Sequence, residues 1–465
     1  MTLKNILKIE YLVVTLMNND EYIKIKEHAK EIFSDDSHKS RVREIMKNSW
    51  DNIRNFPYRD FDDIKKWQLE RISYLVDYAY KNIPLYKKKY DAVGYKVGSI
   101  KTWDDYDKLP ILYKEELIAG FPNEIVKEID DFNLSTRSSG SSGKFLTLAV
   151  SLDAIYNDTI QGYRQYYLQS GNKYTKEDMV LYIYTCPWWI ENLDSEYQTS
   201  FLPTTTPVDD AVKYIKQIRP SIISTYPTYL NKLSMTGIKL SDYGVKVVIV
   251  HSEQSNAMQR DMLSKALGVP VLDEYSSEEL TRIALECPNH TYHLEEDACY
   301  IEIINPETLK RCDYGKEGVV VGTNLLNTAT PIIKYWQGDL AVIDEPIDCE
   351  CHNNCRVLKE IKGRYMDSIK TPTGEIIPAS AFMDIAYNWF LVFNIPIHGL
   401  RYQFVQENTR ELNLYLIKGL FDIDLEKIKE SVYLLIPKTM KLNIMIVNEF
   451  PITIGNKYRP VISKI

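Results

Sequence analysis

Residues 137–145 read RSSGSSGKF: an arginine, a run of serine and glycine, then lysine and phenylalanine. Two roles suit such a stretch. A Ser/Gly run is a flexible linker, whereas a glycine-rich turn ending in lysine wraps a phosphate with backbone N–H groups and one positive charge. It is not a Walker loop. That pattern needs glycine five residues before the Gly-Lys pair and a hydroxyl residue after the lysine, and here Ser138 and Phe145 hold those places. Taken alone, the stretch reads as a linker.

Metal chemistry is the second candidate. The chain has 7 cysteines, and Cys349, Cys351 and Cys355 fall in the segment CECHNNC. An earlier segment, CPNHTYH, runs from Cys287 to His293. In a reducing compartment such a set suggests metal before disulfide. Four ligands from it can staple two strand ends, as structural zinc sites do, although Cys-x-Cys is a less typical spacing than Cys-x-x-Cys.

The bulk composition narrows the partners. Of 465 residues, 45% are hydrophobic and 26% charged, and the net charge is −8. This is an ordinary globular composition of about two to three domains. An acidic balance argues against nucleic acid as a partner. No apolar run approaches the ~20 residues of a membrane span. The start carries a short apolar core, YLVVTLM, with lysines before it but no small-residue cleavage site after it. The expectation is a cytoplasmic protein.

The elements that must position these groups can be read from periodicity. The first 60 residues look helical and charged, as in EYIKIKEHAKEIF. WQLERISYLVDYAYKNI has Leu69, Ile72, Leu75, Val76 and Ala79 at helical spacing, and Pro84 ends that helix. WDDYDKLPILYKEEL predicts a short helix, a loop and another helix start. Beyond residue 150 the Val/Ile-rich runs MVLYIYT, SIISTY, VKVVIV and VPVLDEY alternate with helical segments, which predicts a mostly parallel, covered sheet. From residue 300 the pattern turns hairpin-like, and RYQFVQ, ELNLYLI, LNIMIV and the helical LEKIKESVYLLI predict a small α+β domain of about 100 residues at the end.

Four downstream stretches follow the Ser/Gly-Lys loop in order: DEYSSEEL (273–280), IKYWQGDLAVI (333–343), IKGRYMDSIK (361–370) and PITIGNKYRPVIS (451–463). Together they resemble the core motifs of adenylate-forming ligases, the acyl-CoA synthetase superfamily. The resemblance is greatest to the phenylacetate-CoA ligase branch and its capsule-associated relatives. YLVDYAYKNIPLYKKKY and KLPILYKEEL, with Lys114, resemble that branch's N-terminal region. The likeness covers about residues 65 to 465.

Residues 1–60, which the likeness leaves unmatched, are expected to form an N-terminal helical extension; the resemblance implies an α/β fold with a large adenylation domain (61–366) with mixed sheets and a small mobile α+β lid (367–465) hinged near Asp367. It implies ATP-dependent activation of a carboxylic acid as an acyl-adenylate, with pyrophosphate released. The acyl group would then pass to CoA, the acid being an aryl one by branch. In this reading Ser138, Ser139, Gly140, Ser141, Ser142, Gly143 and Lys144 hold the phosphates. Tyr275 stacks on adenine beside Glu274 and Ser276, with Glu253 bordering the nucleotide. Asp339 accepts the ribose hydroxyls, and Arg364 reaches ribose or phosphate with its planar fork. Glu279 or Glu278 holds magnesium, and Lys457 bridges the carboxylate and the α-phosphate. Trp188, Trp189, His251 and Ser252 line the acid pocket. Cysteines and a histidine at similar places in that branch imply zinc on Cys287, His293, Cys349 and Cys351, with His290, His352 and Cys355 as alternates.

The chain departs from the pattern. Ser276 replaces a glycine, Glu278 stands where a small hydroxyl residue faces phosphate, and Asn456 replaces the glycine before the lysine. Each site residue also has a plainer reading: Asp339 as a turn residue, Arg364 and Asp367 as a surface pair, Glu278 and Glu279 as a solvated helix start. Two other functions stay open, an adenylating enzyme with an amine or carrier as acceptor, and a non-catalytic nucleotide-binding descendant.

Overall fold

Valine- and isoleucine-rich strands build the centre of the molecule. The computed structural model describes residues 36–127, 134–138, 146–185, 192–193, 196–393, 395, 399–419, 421–451 and 459–465. The helical expectation for residues 21–33 lies outside them. A hairpin of β1 (Leu134–Ser138) and β2 (Leu146–Val150) comes first. The main sheet takes β3 (Val180–Tyr184), β4 (Thr199–Pro203), β5 (Ile222–Thr225), β6 (Val247–His251), β7 (Val271–Ser277) and β8 (Thr281–Glu286). It continues with β9 (Tyr292–Leu294), β10 (Cys299–Ile304), β11 (Glu317–Asn324), β12 (Tyr335–Asp344) and β13 (Val357–Arg364).

The order across the sheet is β10-β11-β12-β13-β9-β8-β7-β6-β5-β3-β4. From β4 to β7 the neighbours are parallel; from β7 to β10 they are antiparallel. The expectation of a mostly parallel sheet therefore holds for one half only. The cause is connection length. Helices Val208–Ile218, Pro227–Ser234 and Ala257–Leu267 bridge β4 to β5, β5 to β6 and β6 to β7, long enough for parallel crossovers. Between β7 and β8 only residues 278–280 remain, and so short a link permits only reversal.

Alternation along the parallel strands feeds two cores. On β6, Val248 and Val250 face the crossover helices, packing with Leu263 and Leu230. Val247 and Ile249 face the other way, toward Ile155 and Tyr163 of helix Leu152–Gln169 and Val42 of helix Asp36–Arg54. Burial on both faces explains the unbroken apolar runs. The antiparallel half is covered by helix Phe61–Asn82, whose Ile72, Leu75, Val76 and Ala79 are buried. Asp60 caps that helix by accepting from the Asp62 N–H at 2.9 Å. Ile83 leaves the helix in an extended conformation, and Pro84 then begins the next helix, Pro84–Asp91.

The last hundred residues have their own core. A small pair, β14 (Ile369–Lys370) and β15 (Ile376–Ile377), precedes the four-stranded sheet. That sheet is β18 (Lys441–Ile446), β17 (Glu411–Ile417), β16 (Arg401–Asn408) and β19 (Val461–Ser463), side by side in that order. Helices Ala379–Val392 and Leu425–Val432 cover it, with Phe382, Trp389, Phe404 and Val432 buried together. Among the described residues no helix is long and apolar enough to cross a membrane.

Charge inside the large unit is compensated locally. Arg164, fully buried, bonds Glu295 at 2.5 Å and Asp297 at 2.6 Å. Arg356 holds Glu296 at 2.7 Å, and Gln68 donates to the Glu296 carbonyl at 2.7 Å. These contacts tie two helices to the loop between β9 and β10. Nearby, Arg260 meets Glu286 at 2.9 Å, and Tyr292 donates to Asp273 at 2.7 Å. Burial pushes the Asp273 carboxyl up to about 6 from 3.8, against the pull of Arg260 and the Tyr292 hydroxyl.

Two outcomes follow. Arg164→Ala leaves two buried carboxylates uncompensated and lowers unfolding stability by about 3–5 kcal/mol in denaturant titration. For Asp273 the folded pKa lies above the unfolded one, so its contribution is complete below about pH 4 and is lost as pH rises through about 6. Asp273→Asn flattens the pH dependence of unfolding between pH 4 and 7 by up to about 3 kcal/mol.

Candidate active site and metal centre

The turn between β7 and β8 carries two of the expected site residues. Glu278 and Glu279 lie in this reversal, not at a helix start, and Thr281 takes φ of 62° to close it. Ser277 Oγ accepts the Leu280 N–H at 3.1 Å, and the Glu279 carbonyl accepts from Asn324 at 3.0 Å. The Glu279 side chain is thereby turned inward, 6% exposed, where it accepts from the Tyr335 hydroxyl at 3.1 Å. Burial raises its pKa; the charges of Lys114 and Arg364 oppose that.

Lys114 reaches this place through backbone pairing. Leu112 donates to the Lys334 carbonyl at 2.8 Å and accepts from Trp336 at 2.9 Å, which lays the start of helix Lys114–Gly120 along β12. Burial lowers the Lys114 pKa, and Glu279 opposes the shift. The same helix packs against β2, so the β1–β2 hairpin borders this corner. The connecting loop, Ser139 to Lys144, lies outside the described residues, as do Trp188, Trp189, Asn456 and Lys457; of Ser138 only the backbone is described, as the last residue of β1.

Asp339 and Arg364 are cross-strand partners on β12 and β13. Asp339 is therefore a strand residue within the sheet and not a turn. Its Oδ2 accepts the Tyr275 hydroxyl at 2.5 Å, and its Oδ1 lies 3.5 Å from Arg364 Nε. Arg364 thus faces Asp339. Asp367 instead pairs with Arg459, so the two are not a surface ion pair with each other. Gly363 has φ of 84°, and a Cβ there would meet Gln254 and Ala379 at 3.1 and 3.2 Å, so glycine lets β13 approach those residues beside Arg364.

One residue before Tyr275, Glu274 accepts from Gln165 at 2.7 Å. Burial works against its charge, yet Arg282, His251 and Gln165 outweigh burial and hold its pKa below the ordinary value. At the C-terminal edge of β6, the His251 ring stacks on Tyr182 at 5.6 Å and lies 5.2 Å from Tyr184 and 5.8 Å from Tyr226. Its Nδ1 is 2.9 Å from Ser252 Oγ, and Ser252 takes φ of 66°. Glu253 accepts the Thr228 N–H at 3.1 Å, at the start of helix Pro227–Ser234. The polar groups thus gather at the C-terminal ends of the parallel strands, where open α/β sheets bind ligands.

Arg282, Gln165 and Tyr335 also border the site without holding any role expected from the ordered motifs, and Lys114, part of the N-terminal likeness, joins them. Arg282 follows Glu279 by three residues but belongs to no recognisable pattern. Tyr335 lies four residues before Asp339 in the same strand, an even spacing that puts both on one face.

At the other end of the sheet, Cys287, His293, Cys349 and Cys351 bring their ligand atoms within 4.8 Å of one another. Cys287 Sγ is 3.8 Å from Cys349 Sγ, and Cys351 Sγ is 3.2 Å from His293 Nε2. A tetrahedral zinc ion with ~2.3 Å bonds to sulfur needs sulfurs about 3.8 Å apart, so the donor set fits that metal. The alternates are directed elsewhere. His290 bonds Glu286 at 2.9 Å, His352 is exposed, and Cys355 is buried beside Phe56 and Ile64. The backbone N–H of each of these histidines closes a turn by donating to the carbonyl of the cysteine three residues earlier, Cys287 and Cys349, at 2.8 Å.

No family model matches the chain. Phenylacetate-coenzyme A ligase of Aromatoleum evansii is 27% identical over 329 residues, 66% of this chain and 72% of that protein. Protein CapK of Staphylococcus aureus is 22% identical over 436 residues, 88% of this chain and 91% of that one. Among solved structures, 2-hydroxyisobutyryl-CoA ligase in its postadenylation state superimposes with a TM-score of 0.71 at 19% identity, covering 86% of this chain and 89% of that one. A likeness of that kind speaks to the fold. With the ordered motifs and the Tyr275–Asp339–Arg364 grouping, these likenesses make the chain similar to the adenylate-forming ligases, with the phenylacetate-CoA ligases and CapK among its relatives.

Proposed function

We propose that this protein is an AMP-forming acyl-CoA ligase acting in the cytoplasm on a small carboxylic acid. The observation that carries the reading is the convergence of Tyr275, Glu279, Asp339, Arg364 and Lys114 at one corner of the sheet. It offers an aromatic ring, a carboxylate for ribose hydroxyls, a guanidinium fork and a second cation for an anionic nucleotide.

A carboxylate oxygen of the acid attacks the α-phosphorus of ATP, and pyrophosphate leaves with the electron pair of the broken P–O bond. The CoA thiolate then attacks the acyl carbonyl carbon, AMP departs with its oxygen, and a thioester remains. In these steps the Tyr275 ring lies against adenine, with Glu274, Ser276 and Glu253 around it. Asp339 accepts from the ribose, and Arg364 and the Ser138–Lys144 loop meet the phosphates. A magnesium ion held by Glu279 or Glu278 would neutralise phosphate charge. Lys457 steadies the charge developing between carboxylate and phosphorus. His251, Ser252, Trp188 and Trp189 line the acid pocket. Residues 61–366 act as the adenylation domain and 367–465 as a lid turning near Asp367 between the two steps.

The cysteine cluster is assigned a structural role. Zinc on Cys287, His293, Cys349 and Cys351 would clamp the β8–β9 turn to the β12–β13 loop.

Pyrophosphate release with a panel of carboxylic acids tests the activity. An acid that supports release, followed by thioester formation on adding CoA, is the expected outcome; amide formation in place of thioester would reassign the acceptor. Lys457→Ala is expected to lower pyrophosphate release by about 100-fold or more, and an unchanged rate removes its role. Elemental analysis is expected to find one zinc per chain, reduced in Cys349→Ser together with a lower melting temperature; protein without zinc at full stability contradicts the assignment.

A further inference from the structure

The Asp339 carboxylate has its two oxygens held from different sides. Tyr275 donates its phenol proton to Oδ2 at 2.5 Å, and Arg364 Nε stands 3.5 Å from Oδ1. An aspartate carboxylate otherwise turns within a broad torsional well. A donor on one oxygen and a cation beside the other remove that freedom, while each oxygen keeps a lone pair for a ligand.

The groups doing the holding are themselves fixed. Tyr275 sits in β7 opposite Ala284, immediately before the irregularity in the β7–β8 pairing. Its ring packs on the main core, so the phenol has a set height above the sheet. Asp339 is 7% exposed and paired in register with Arg364. The phenol pKa is pushed well above its ordinary value by burial and by Asp339, in keeping with a group that stays a donor.

We propose that the Tyr275 phenol is a positioning group for the nucleotide sugar, separate from any stacking by its ring. By fixing the Asp339 carboxylate, it makes the site choose a ribose bearing both hydroxyls over a deoxyribose. Two vicinal hydroxyls need two acceptors at a set orientation, whereas one hydroxyl is served by a carboxylate in many orientations. The inference rests on the nucleotide-binding reading above, and the substrate acid plays no part in it.

Binding of ATP and of 2′-deoxy-ATP is measured by calorimetry on the full chain. The proteins compared are the wild type, Tyr275→Phe, Asp339→Ala and the double variant, with thermal unfolding to show that each is folded. The wild type is expected to bind ATP about tenfold or more tightly than 2′-deoxy-ATP, the scale of a hydrogen bond to a charged group. Tyr275→Phe keeps the ring and is expected to lose about tenfold for ATP but little for the deoxy form, so the preference collapses. In the Asp339→Ala background the same change adds nothing, because the phenol acts through that carboxylate. Tyr275→Trp, which also keeps a flat ring without the phenol, is expected to lose the preference as well and serves if the Phe variant is unstable. A preference retained within twofold in these variants, or additive losses in the double variant, overturns the inference alone. A wild type that binds neither nucleotide overturns it together with the nucleotide-binding reading.

Discussion

Three residues between β7 and β8 force the sheet to change direction, and much of the molecule follows from that constraint. A link so short cannot make a parallel crossover, so β8 must run back beside β7 and every later strand of the sheet pairs antiparallel. The reversal puts Glu278 and Glu279 in the turn itself. It also brings β12 and β13, with Asp339 and Arg364, into the same sheet as β7, so that the Tyr275 phenol meets the Asp339 carboxylate. The far ends of the same antiparallel strands collect the cysteine cluster. One turn thus separates the Tyr275–Asp339 corner from the cysteine corner.

Around that frame, buried charge is kept tolerable by neutralisation at close range. Arg164, Arg356 and Arg260 each meet carboxylates that have almost no solvent, and Arg282 pairs with the buried Asp158. Such pairs contribute little net stability over apolar packing, but breaking one is costly. Their arrangement is what fixes helix Leu152–Gln169 and the β9–β10 loop in one register. The corner around Asp339 differs: Lys114 and Arg364 stand beside Glu279 and Asp339, and the Arg364 side chain is 44% exposed.

Much of this was legible in the chain. Val/Ile runs revealed the strands because burial on both faces favours apolar residues at successive positions, as in Val247, Val248, Ile249 and Val250. That Tyr275, Asp339 and Arg364 lie together was legible because each stands in one of the ordered motifs. The choice of Cys287, His293, Cys349 and Cys351 over His290, His352 and Cys355 agrees with the geometry, although spacing alone could not make it. Both rejected histidines sit at positive φ in tight turns; His290 bonds Glu286, and His352 is exposed. The antiparallel half was not legible, since strand direction depends on link lengths that only exact strand ends reveal. Nor was the role of Arg282, whose partners lie over a hundred residues away in sequence.

In the proposed reaction a carboxylate oxygen becomes bonded to the α-phosphorus of ATP. Isotope transfer reads that bond directly. With an accepted acid carrying ¹⁸O in its carboxylate, ATP and CoA, the account predicts one ¹⁸O in the AMP produced, because thioester formation breaks the acyl carbon–oxygen bond. Label in inorganic phosphate, or AMP without label, contradicts it.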